Sequence, residues 1–587
     1  MSDQHHADGD TPRGQSPLPE PELIQAPPTS VGGILRKIGP GMILAGSIVG
    51  SGELIATTRV GSEAGFTLLW LILVGCIVKV FVQIELGRYT IINAKTTLAA
   101  LDSVPGPRVT VPLGKAAMRG NLITWFWLIM FLATIGQLGG IVGGVGQGLA
   151  ISVPLTEEGR QFNQNKAEQV TLKVKETRLA RLTAGRDAND PLSIEEGAVV
   201  EKLQGEIAQL KPRVEQSLAQ AKAFDDLNKA KAALAATPDD AAAKAKVDEL
   251  SQTVKTLGTP PSPLDDKYWA AILGVVTAVM LASGRYRLVE VVSIVFVATF
   301  TIITIGNLVA LQFRGEWAVT MADLGEGMSL QLPHADGSSF GGKSALATAL
   351  AAFGIIGVGA SELMAYPYWC LEKGYAKWTG KAAGSQGWIS RARGWLRVMK
   401  WDAGCSMVLY TVATIVFYLL GAAVLHRSGL HPNDDELIRT LSIMYQPVFG
   451  THAPALFLIG AIAVLYSTFF SANAANARQA ADIIPAFGIK AVNEEQRRRW
   501  VRFFCAFFPR ACVVIFCFIP KPVTLVLISG VMQALMLPLL GIAAIYFRYR
   551  QCDERLKPGL AWDVMLWISF IAFFIVGVYL AYVNLIK

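Results

Sequence analysis

Apolar residues along the chain are gathered into blocks of about 20, such as residues 66–86, with short polar, glycine-rich or proline-rich stretches between them. A helix needs about 20 apolar residues to cross the hydrocarbon core of a bilayer. Dividing the pattern at Gly, Pro and charged clusters predicts eleven membrane-spanning helices, spans 1 to 11. They cover residues 38–62, 65–87, 121–150, 268–284, 288–312, 344–370, 402–425, 454–483, 500–520, 522–547 and 561–585.

Between spans 3 and 4 the pattern changes, and about 110 residues are rich in Ala, Lys, Glu and Gln with only scattered aliphatic side chains. We predict a separate insertion over residues 154–266, outside the membrane. Its aliphatic positions recur at intervals of three and four, which is typical of a helical hairpin or coiled coil, although Pro212 should kink the helix. These positions are Val200, Leu203, Ile207, Leu210 and Val214.

Three further regions complete the domain organisation. Residues 1–30 are polar and rich in Pro, Asp and Gly, which predicts a disordered cytoplasmic tail without a cleaved signal peptide. Residues 31–153 contain spans 1 to 3, and residues 267–587 contain spans 4 to 11. The seven cysteines have no paired CxxC spacing, so neither a disulfide framework nor a zinc site is indicated.

Composition agrees with a membrane protein, because 52% of the residues are hydrophobic, 17% are charged and the mean hydropathy is +0.41. The net charge of +8 does not indicate nucleic-acid binding, since the basic residues lie between spans. Basic residues dominate residues 88–119 and 373–400, whereas residues 314–343 contain four acidic residues. The positive-inside rule therefore predicts a multi-pass plasma or inner membrane protein with a cytoplasmic N-terminus and an extracytoplasmic insertion.

Spans 1 and 6 carry matching motifs of small residues followed by a glutamate, Gly50-Ser51-Gly52-Glu53 and Gly359-Ala360-Ser361-Glu362. Glycine weakens a helix by about 1 kcal/mol relative to alanine, and an ionisable residue at bilayer depth costs a few kcal/mol. Two interrupted helices at corresponding positions are typical of inverted-repeat transporters with a site near the membrane midplane. Spans 1–5 and 6–10 would form the repeats, with span 11 as an addition.

The chemistry of the two motifs has two interpretations. Carbonyl oxygens freed by helix breaks at Gly52 and Ala360, together with the carboxylates of Glu53 and Glu362, would suit a hard cation. Alternatively, each glutamate caps a broken helix while the glycines permit tight packing. Lys79, inside span 2, could pair with one of the glutamates and take part in coupling, or its ammonium could snorkel to the cytoplasmic face.

Several segments together resemble the Nramp (natural resistance-associated macrophage protein) family of divalent metal-ion transporters. Gly39-Pro40-Gly41 lies eight residues before Gly50-Ser51-Gly52-Glu53, as the family's Gly-Pro-Gly lies before its Asp-Pro-Gly-Asn. The other similar segments are Leu68-Leu69-Trp70, Gln83 and Leu86-Gly87 in span 2, residues 284–290 entering span 5, Ser467-Thr468 in span 8, and Ser529 with Leu537-Pro538 in span 10. The resemblance implies a LeuT-like all-α fold of five plus five spans and one more, working by alternating access.

The departures from the family pattern fall at the ion site. The family's metal-binding Asp is Gly50 here, its Asn is Glu53, and the Met-Pro-His of span 6 is absent. The methionine position falls on Ser361 when residues are counted from Gly357, or on Gly359 when the two repeats are aligned. Since a thioether favours soft metals, its loss favours hard ions such as Mg²⁺ or Mn²⁺.

Two further family features differ. A glutamine of span 10 that assists the ion in family members corresponds to Gly530, and acidic residues associated with proton passage are missing from span 3. Proton coupling therefore stays open, as does the selectivity among hard divalent ions.

We therefore expect a secondary active transporter of a divalent metal cation, which is its substrate, with no cofactor, no enzymatic motif and no nucleic-acid partner. Glu53, Glu362, Gly359 and Ser361 are the candidate ligands, with further carbonyl ligands at Val49, Gly50 and Val358. The alternatives are an organic-solute or amino-acid symporter on the same fold, and a non-transporting membrane sensor. In the sensor, the insertion would receive a signal or a protein partner.

Overall fold

The computed structural model describes residues 24–113, 116–183, 194–283, 286–333, 345–382 and 384–585. Residues 1–23 of the predicted tail lie outside the described residues, as do Gly284 and Arg285 in the segment that enters span 5. Each of the eleven predicted spans corresponds to a helix or to a pair of helices. These are Pro40–Ala64, Leu69–Asn93, Leu122–Ser152, Asp265–Ala282, Tyr286–Leu311, Ala345–Phe353 with Ala360–Lys373, Gln386–His426, Ala453–Ala481, Glu494–Phe518, Pro522–Tyr546 and Leu560–Leu585.

Among the described residues, eight helices are long and apolar enough to cross a membrane, or nine if Val297–Leu311 and Gly315–Gly327, bent by 114°, count as one. Spans 4 and 6 are not among them. Span 4 has 18 residues and begins with the charged residues Asp265, Asp266 and Lys267. Span 6 consists of two short helices, Ala345–Phe353 and Ala360–Lys373.

Shorter elements connect the spans. The α-helical ones are Val31–Leu35, Thr97–Asp102, Met321–Gly327, Tyr375–Thr379, Leu437–Ser442, Gln446–Phe449 and Ile483–Ala486. Two π-helical turns, Gly421–His426 and Phe547–Gln551, end spans 7 and 10. The 3₁₀ turns are Gly315–Trp317, Ile443–Tyr445, Gly450–His452 and Glu554–Leu556.

A small antiparallel sheet lies between spans 2 and 3, where the hydrophobic pattern did not predict any strand. Strand β1 is Arg108–Leu113 and strand β2 is Ala116–Asn121, with Arg108 opposite Asn121. The backbone N–H of Arg119 donates to the carbonyl of Phe487, 2.9 Å away, which attaches the sheet to the chain that follows span 8. Every other regular secondary-structure element in the described ranges is helical.

The insertion contains three helices, Glu157–Thr183, Ile194–Ala236 and Ala241–Leu257, which pack against each other in chain order. The second helix continues through Pro212. Of the five aliphatic positions singled out above, Val200, Leu203 and Val214 are buried, while the other two are half-buried.

The first insertion helix also contacts two loops of the membrane region. Arg178 and Arg181 form ion pairs with Glu316, which follows span 5, at 2.8 and 3.2 Å. Lys166 pairs with Glu436, which precedes span 8, at 3.0 Å. The insertion and these two loops therefore lie on the same side of the membrane region, as the predicted order of the spans requires.

Candidate functional site

Span 1 does not unwind at its small-residue motif, so the predicted break at Gly52 is wrong. The chain is α-helical over Pro40–Ile48, π-helical over Val49–Thr57 and α-helical again over Thr58–Ala64. A π-helical segment changes the hydrogen-bond pattern without opening the helix, and such segments are frequent at functional sites. Val49 and Gly50 thus belong to a continuous helix and not to unwound backbone.

The glycines of span 1 lie where neighbouring helices come very close. A Cβ atom on Gly50 would overlap the side chain of Thr468 in span 8, and one on Gly52 would lie 2.8 Å from the carbonyl oxygen of Ile355. Side chains at these positions would push span 1 away from span 8 and from span 6. Tight packing, one of the two interpretations of the motif, accounts for both glycines.

Span 6 is broken, and the predicted interruption is confirmed there. Its first half, Ala345–Phe353, ends before a non-helical segment in which Gly357 has a φ of +60°. Gly359 is the N-cap of the second half, and Ala360 is its first residue. A break of this kind leaves carbonyl oxygens at the end of one helix and N–H groups at the start of the next without helical partners.

Glu53 reaches across from span 1 to this break. Its Oε1 accepts hydrogen bonds from the backbone N–H of Gly357 at 3.0 Å and from the Thr414 hydroxyl of span 7 at 2.8 Å. The residue is fully buried, and its Oε2 has no hydrogen-bond partner among the described residues. Oε1 of Glu53 therefore caps the freed N–H of Gly357, while Oε2 is able to accept a further hydrogen bond or to bind an ion.

Lys79 in span 2 contacts the same break. Its fully buried ammonium group donates to the carbonyl oxygens of Phe353 and Ile356, the latter at 2.6 Å. It makes no ion pair with a carboxylate within 4.0 Å in the described part of the chain, and it does not snorkel. Lys79 therefore contacts backbone carbonyls directly, while its electrostatic interaction with Glu53 and Glu362 leaves a role in coupling as a prediction. A cation at the C-terminal end of the first half is favoured by the helix dipole.

Glu362 occupies the first turn of the second half of span 6. Its Oε2 accepts a hydrogen bond from the Ser361 hydroxyl at 2.8 Å, and lies 2.5 Å from the point that a Cβ on Gly359 would occupy. A carboxylate near a helix N-terminus is stabilised by the dipole and by the freed N–H groups. Glu53, Lys79 and Glu362 are close enough to interact electrostatically.

A glutamine network that sequence reasoning missed joins span 6 to spans 1, 3 and 10. The Gln533 side chain accepts from the Ser361 backbone N–H at 3.0 Å and donates to the Gln137 side chain at 2.8 Å. Gln137 in turn donates to the Ser51 hydroxyl at 3.0 Å and accepts from Ser529 at 2.8 Å.

In the resemblance to the Nramp family, the position of the span 10 glutamine that assists the ion fell on Gly530. Gly530 lies one turn before Gln533 and packs against the first half of span 6. A Cβ there would lie 2.5 Å from the Ala351 carbonyl oxygen. The sequence signal that could have identified this network is a polar side chain inside an apolar span, because polar groups inside a membrane are costly. Gln137 and Gln533 each lie in such a span, and both are buried.

A narrow cavity lies between spans 1, 3, 6 and 8 beside this network. Its free volume of about 20 Å³ suits a water-sized molecule or an ion. Glu362 is the one ionisable side chain among the described residues that line it. Neutral oxygen-bearing side chains on the wall include Ser47, Ser51, Gln137, Ser361, Thr468 and Asn476.

The structure brings only part of the predicted ligand set to this cavity. Ser361 and Glu362 line it, whereas the other predicted ligands are not among its lining residues, namely Glu53, Val49, Gly50, Val358 and Gly359. In the part of the chain that the structure describes, no group of three or more His, Cys, Asp or Glu side chains could hold a metal ion. A cation in the cavity would be held mainly by neutral oxygens and one carboxylate.

The buried carboxylate of Asp402, which sequence reasoning also missed, binds the start of span 1. Asp402 in span 7 accepts from the backbone N–H groups of Gly39 and Gly41, both at 2.7 Å, and from the Tyr366 hydroxyl at 3.0 Å. It therefore joins spans 1, 6 and 7 at one point. An aspartate inside an apolar stretch, together with the Gly-Pro-Gly sequence, was the signal that could have identified it.

Comparisons with known proteins agree with this architecture. A family model described as natural resistance-associated macrophage protein-like, Nramp, matches residues 254–583. A mutant of the Eremococcus coleocola manganese transporter has a similar structure, with a TM-score of 0.53 and 14% sequence identity, covering 97% of this chain and 90% of that chain. The structure of the same transporter in complex with an aromatic bis-isothiourea substituted compound has a TM-score of 0.50, with the same identity and coverage.

A comparison with curated protein sequences finds no match. At 14% identity the structural likeness shows the fold alone. It confirms the LeuT-like architecture that the paired motifs and the resemblance predicted.

Proposed function

The chain belongs to the natural resistance-associated macrophage protein-like family, a family of transporters, and on that premise we propose that it moves a divalent metal cation across the membrane by alternating access. The observation that carries this proposal is the ion-sized cavity at the break in span 6, with Glu362 on its wall. The cation is the transported substrate and not a resident cofactor.

The donor atoms favour a hard ion. The polar groups on the cavity wall are hydroxyl, amide and carboxylate oxygens and amide nitrogens, and no methionine or cysteine is among the lining residues that the structure describes. Oxygen ligands select Mg²⁺ and Mn²⁺ over softer transition metals. We therefore propose Mg²⁺ or Mn²⁺ as the ion.

A divalent cation needs more negative charge than Glu362 alone supplies. The Oε2 of Glu53 on span 1 has no hydrogen-bond partner among the described residues, and the Glu53 carboxyl group interacts electrostatically with Glu362. We propose that Glu53 contributes this oxygen, and that the carbonyls of Val358 and Gly359 become ligands when the break in span 6 rearranges. Val49 and Gly50, inside a continuous helix, contribute packing in this scheme.

We also propose that transport of the cation is coupled to the movement of protons. Glu362 faces the cavity, so its carboxyl can exchange a proton with water there, and binding of a cation would favour its ionised form. Uptake driven by an imposed pH gradient, and its loss when Glu362 is replaced by Gln, is the corresponding measurement.

The competing functions receive less support. A free volume of about 20 Å³ is too small for an amino acid or another organic solute, so a symporter of such solutes would need a much wider cavity. In the alternative of a non-transporting sensor, the insertion receives the signal, so the signalling output would depend on the insertion. Deleting residues 157–263 separates the cases, because a transporter retains uptake while a sensor loses its output.

The test is uptake of Mn²⁺ and Mg²⁺ by the purified protein in liposomes. Glu362→Gln and Glu53→Gln should each lower the flux, whereas Glu201→Gln, an equivalent exchange on the exposed face of the insertion, should leave it unchanged. Equal flux in the wild type and in both site variants would contradict the proposal.

A further inference from the structure

The lining of the cavity extends from Glu362 towards one side of the membrane region. On span 8 the lining residues run from Thr468 to Gln479, which is about 16 Å of helix, and on span 1 they run from Ser51 back to Ile43. Because consecutive spans cross in alternate directions, span 1 begins and span 8 ends on the side of the loop between spans 6 and 7. The cavity lining therefore extends towards that side, opposite the insertion.

The second half of span 6 runs in the same direction. Glu362, Trp369 and Glu372 are seven and three residues apart, so the helix places them on one side, with a rise of about 10 Å between the first two. Glu362 and Trp369 both line the cavity, and Trp369 is buried. Glu372 is the last residue but one of the helix, and 38% of its side chain is exposed. This half of span 6 thus leads from the cavity to the surface.

Arg478 of span 8 joins the two outer side chains of this series. Its guanidinium group lies 4.7 Å from the centre of the Trp369 ring and donates from Nε to the Glu372 carboxylate. Its Nη1 donates to the Ala474 carbonyl oxygen at 2.7 Å. Arg478 is buried and is not among the residues that line the cavity. Trp369 therefore contacts both the cavity and an arginine that is paired with a carboxylate at the surface.

We propose that Trp369, Arg478 and Glu372 form the gate through which the cavity opens to the side of the loop between spans 6 and 7. In the closed gate, the ion pair holds the second half of span 6 against span 8, and the Trp369 ring ends the cavity. When the pair separates, this half of span 6 pivots at the break near Gly359 and moves the ring away. The guanidinium group also repels a cation while the gate is closed. The use of the cavity as an ion path rests on the proposed function.

A purely structural ion pair would give a different result. An ion pair that only stabilises the fold lowers the unfolding temperature when it is removed, and access to the cavity stays the same. A gate instead sets the fraction of molecules in which a water-soluble reagent reaches the cavity. Access to the cavity from water is thus the informative quantity, and its measurement needs no metal.

The experiment measures how fast 2-aminoethyl methanethiosulfonate modifies a cysteine placed in the cavity lining by Ser471→Cys, in the purified full-length protein in detergent. Peptide mass spectrometry reads the modification at residue 471 separately from the native cysteines. Adding Glu372→Gln should raise the rate about fivefold, since a partly exposed ion pair is worth about 1 kcal/mol. Adding Arg478→Gln should raise the rate at least as much, because the contact with the ring is lost as well.

Two further pairs of variants make the test specific. Glu495→Gln, which removes the exposed ion pair with Arg499 at the start of span 9, is the matched control and should leave the rate unchanged. Trp369→Ala should raise the rate more than Trp369→Phe, because phenylalanine keeps a ring at the end of the cavity. An unchanged rate in Glu372→Gln overturns the proposal, as does an equal rise in Glu495→Gln. A rate in Trp369→Ala no higher than in Trp369→Phe also overturns it.

Uptake of Mn²⁺ and Mg²⁺ in liposomes separates this inference from the proposed function. If the wild type transports neither ion while Glu372→Gln still opens the cavity to the reagent, the proposed function fails and the gate stands. If the wild type transports an ion and the rates of modification are all equal, the gate fails and the proposed function stands.

Discussion

The carboxylate of Glu53 accepts a hydrogen bond from the backbone N–H of Gly357 at 3.0 Å, which joins span 1 to the break in span 6. The two residues are 304 positions apart in the chain and lie in the two predicted repeats. Lys79 contacts the same break through the carbonyl oxygens of Phe353 and Ile356. A carboxylate and an ammonium group therefore bind the N–H and the C=O of the same peptide unit, between Ile356 and Gly357.

Replacing Glu362 by Gln should reduce Mn²⁺ uptake by roughly tenfold or more, since hydrogen bonds and contacts to charged groups are worth about 1.5–3 kcal/mol. The carboxylate is the one ionisable group that the described cavity lining contains. Initial rates in liposomes over a range of Mn²⁺ concentrations measure the effect. Glu201→Gln serves as the control, and wild-type rates in Glu362→Gln would rule out a role in ion binding.

Replacing Gln533 by Met should destabilise the protein by about 1–3 kcal/mol, because the Ser361 N–H and the Gln137 oxygen each lose a partner while buried. Thermal unfolding in detergent measures this loss. Gln252→Met, on the exposed face of the insertion, is the matched exchange and should not alter the unfolding temperature. A Gln533→Met protein as stable as the wild type would show that the network is dispensable.

A methyl group at Gly50 should destabilise the packing of span 1 against span 8 by about 1–3 kcal/mol, the usual cost of overpacking. Its Cβ would overlap Thr468, so Gly50→Ala combined with Thr468→Ala should recover part of the loss. The unfolding temperatures of the two single variants and the double variant form a double-mutant cycle. Strict additivity in that cycle would mean that the two side chains do not meet.

His431, in the loop between spans 7 and 8, should make stability depend on pH. Burial, followed by the neighbouring charges of Arg59, Lys173 and His426, lowers the pKa of His431 from 6.5 to about 4. Because the folded protein favours the neutral ring, this stabilising contribution is complete above pH 6.5. It is lost as the pH falls from 6.5 towards 4.

Unfolding temperatures at pH 7.5, 6, 5 and 4 test this dependence. His431→Asn should show a smaller decrease between pH 6.5 and 4 than the wild type, since asparagine does not titrate. Parallel pH profiles of the two proteins would mean that other groups cause the acid destabilisation.

The predicted orientation places the insertion outside the cell and the loop between spans 6 and 7 inside. Asp239→Cys, exposed on the insertion, should react with a membrane-impermeant maleimide in intact cells, whereas Lys377→Cys should react only after lysis. The wild type gives the background from its own cysteines. Labelling of Lys377→Cys in intact cells would reverse the topology.

Much of the fold was predictable from the sequence because its signals are local. The lengths of the apolar blocks located the main helices, eight of which among the described residues are long and apolar enough to cross a membrane. The glycines between Ala345 and Lys373 indicated the break in span 6. The polar, Ala-, Lys-, Glu- and Gln-rich composition of residues 154–266 indicated helices that do not cross the membrane. The same local signal was misleading at Gly52, where glycine serves close packing in a continuous helix and the backbone does not open.

The site was less predictable because its contacts join residues far apart in the chain. The sequence by itself assigned Glu53, Lys79 and Glu362 to spans 1, 2 and 6, since hydropathy defines the apolar block in which each residue lies. Only the tertiary structure decided that Glu53 caps Gly357, that Lys79 contacts carbonyls and not a carboxylate, and that Gln533 reaches Ser361. The physical reason is that helix packing brings these groups together, and hydropathy places a residue in a span without saying which neighbour it meets.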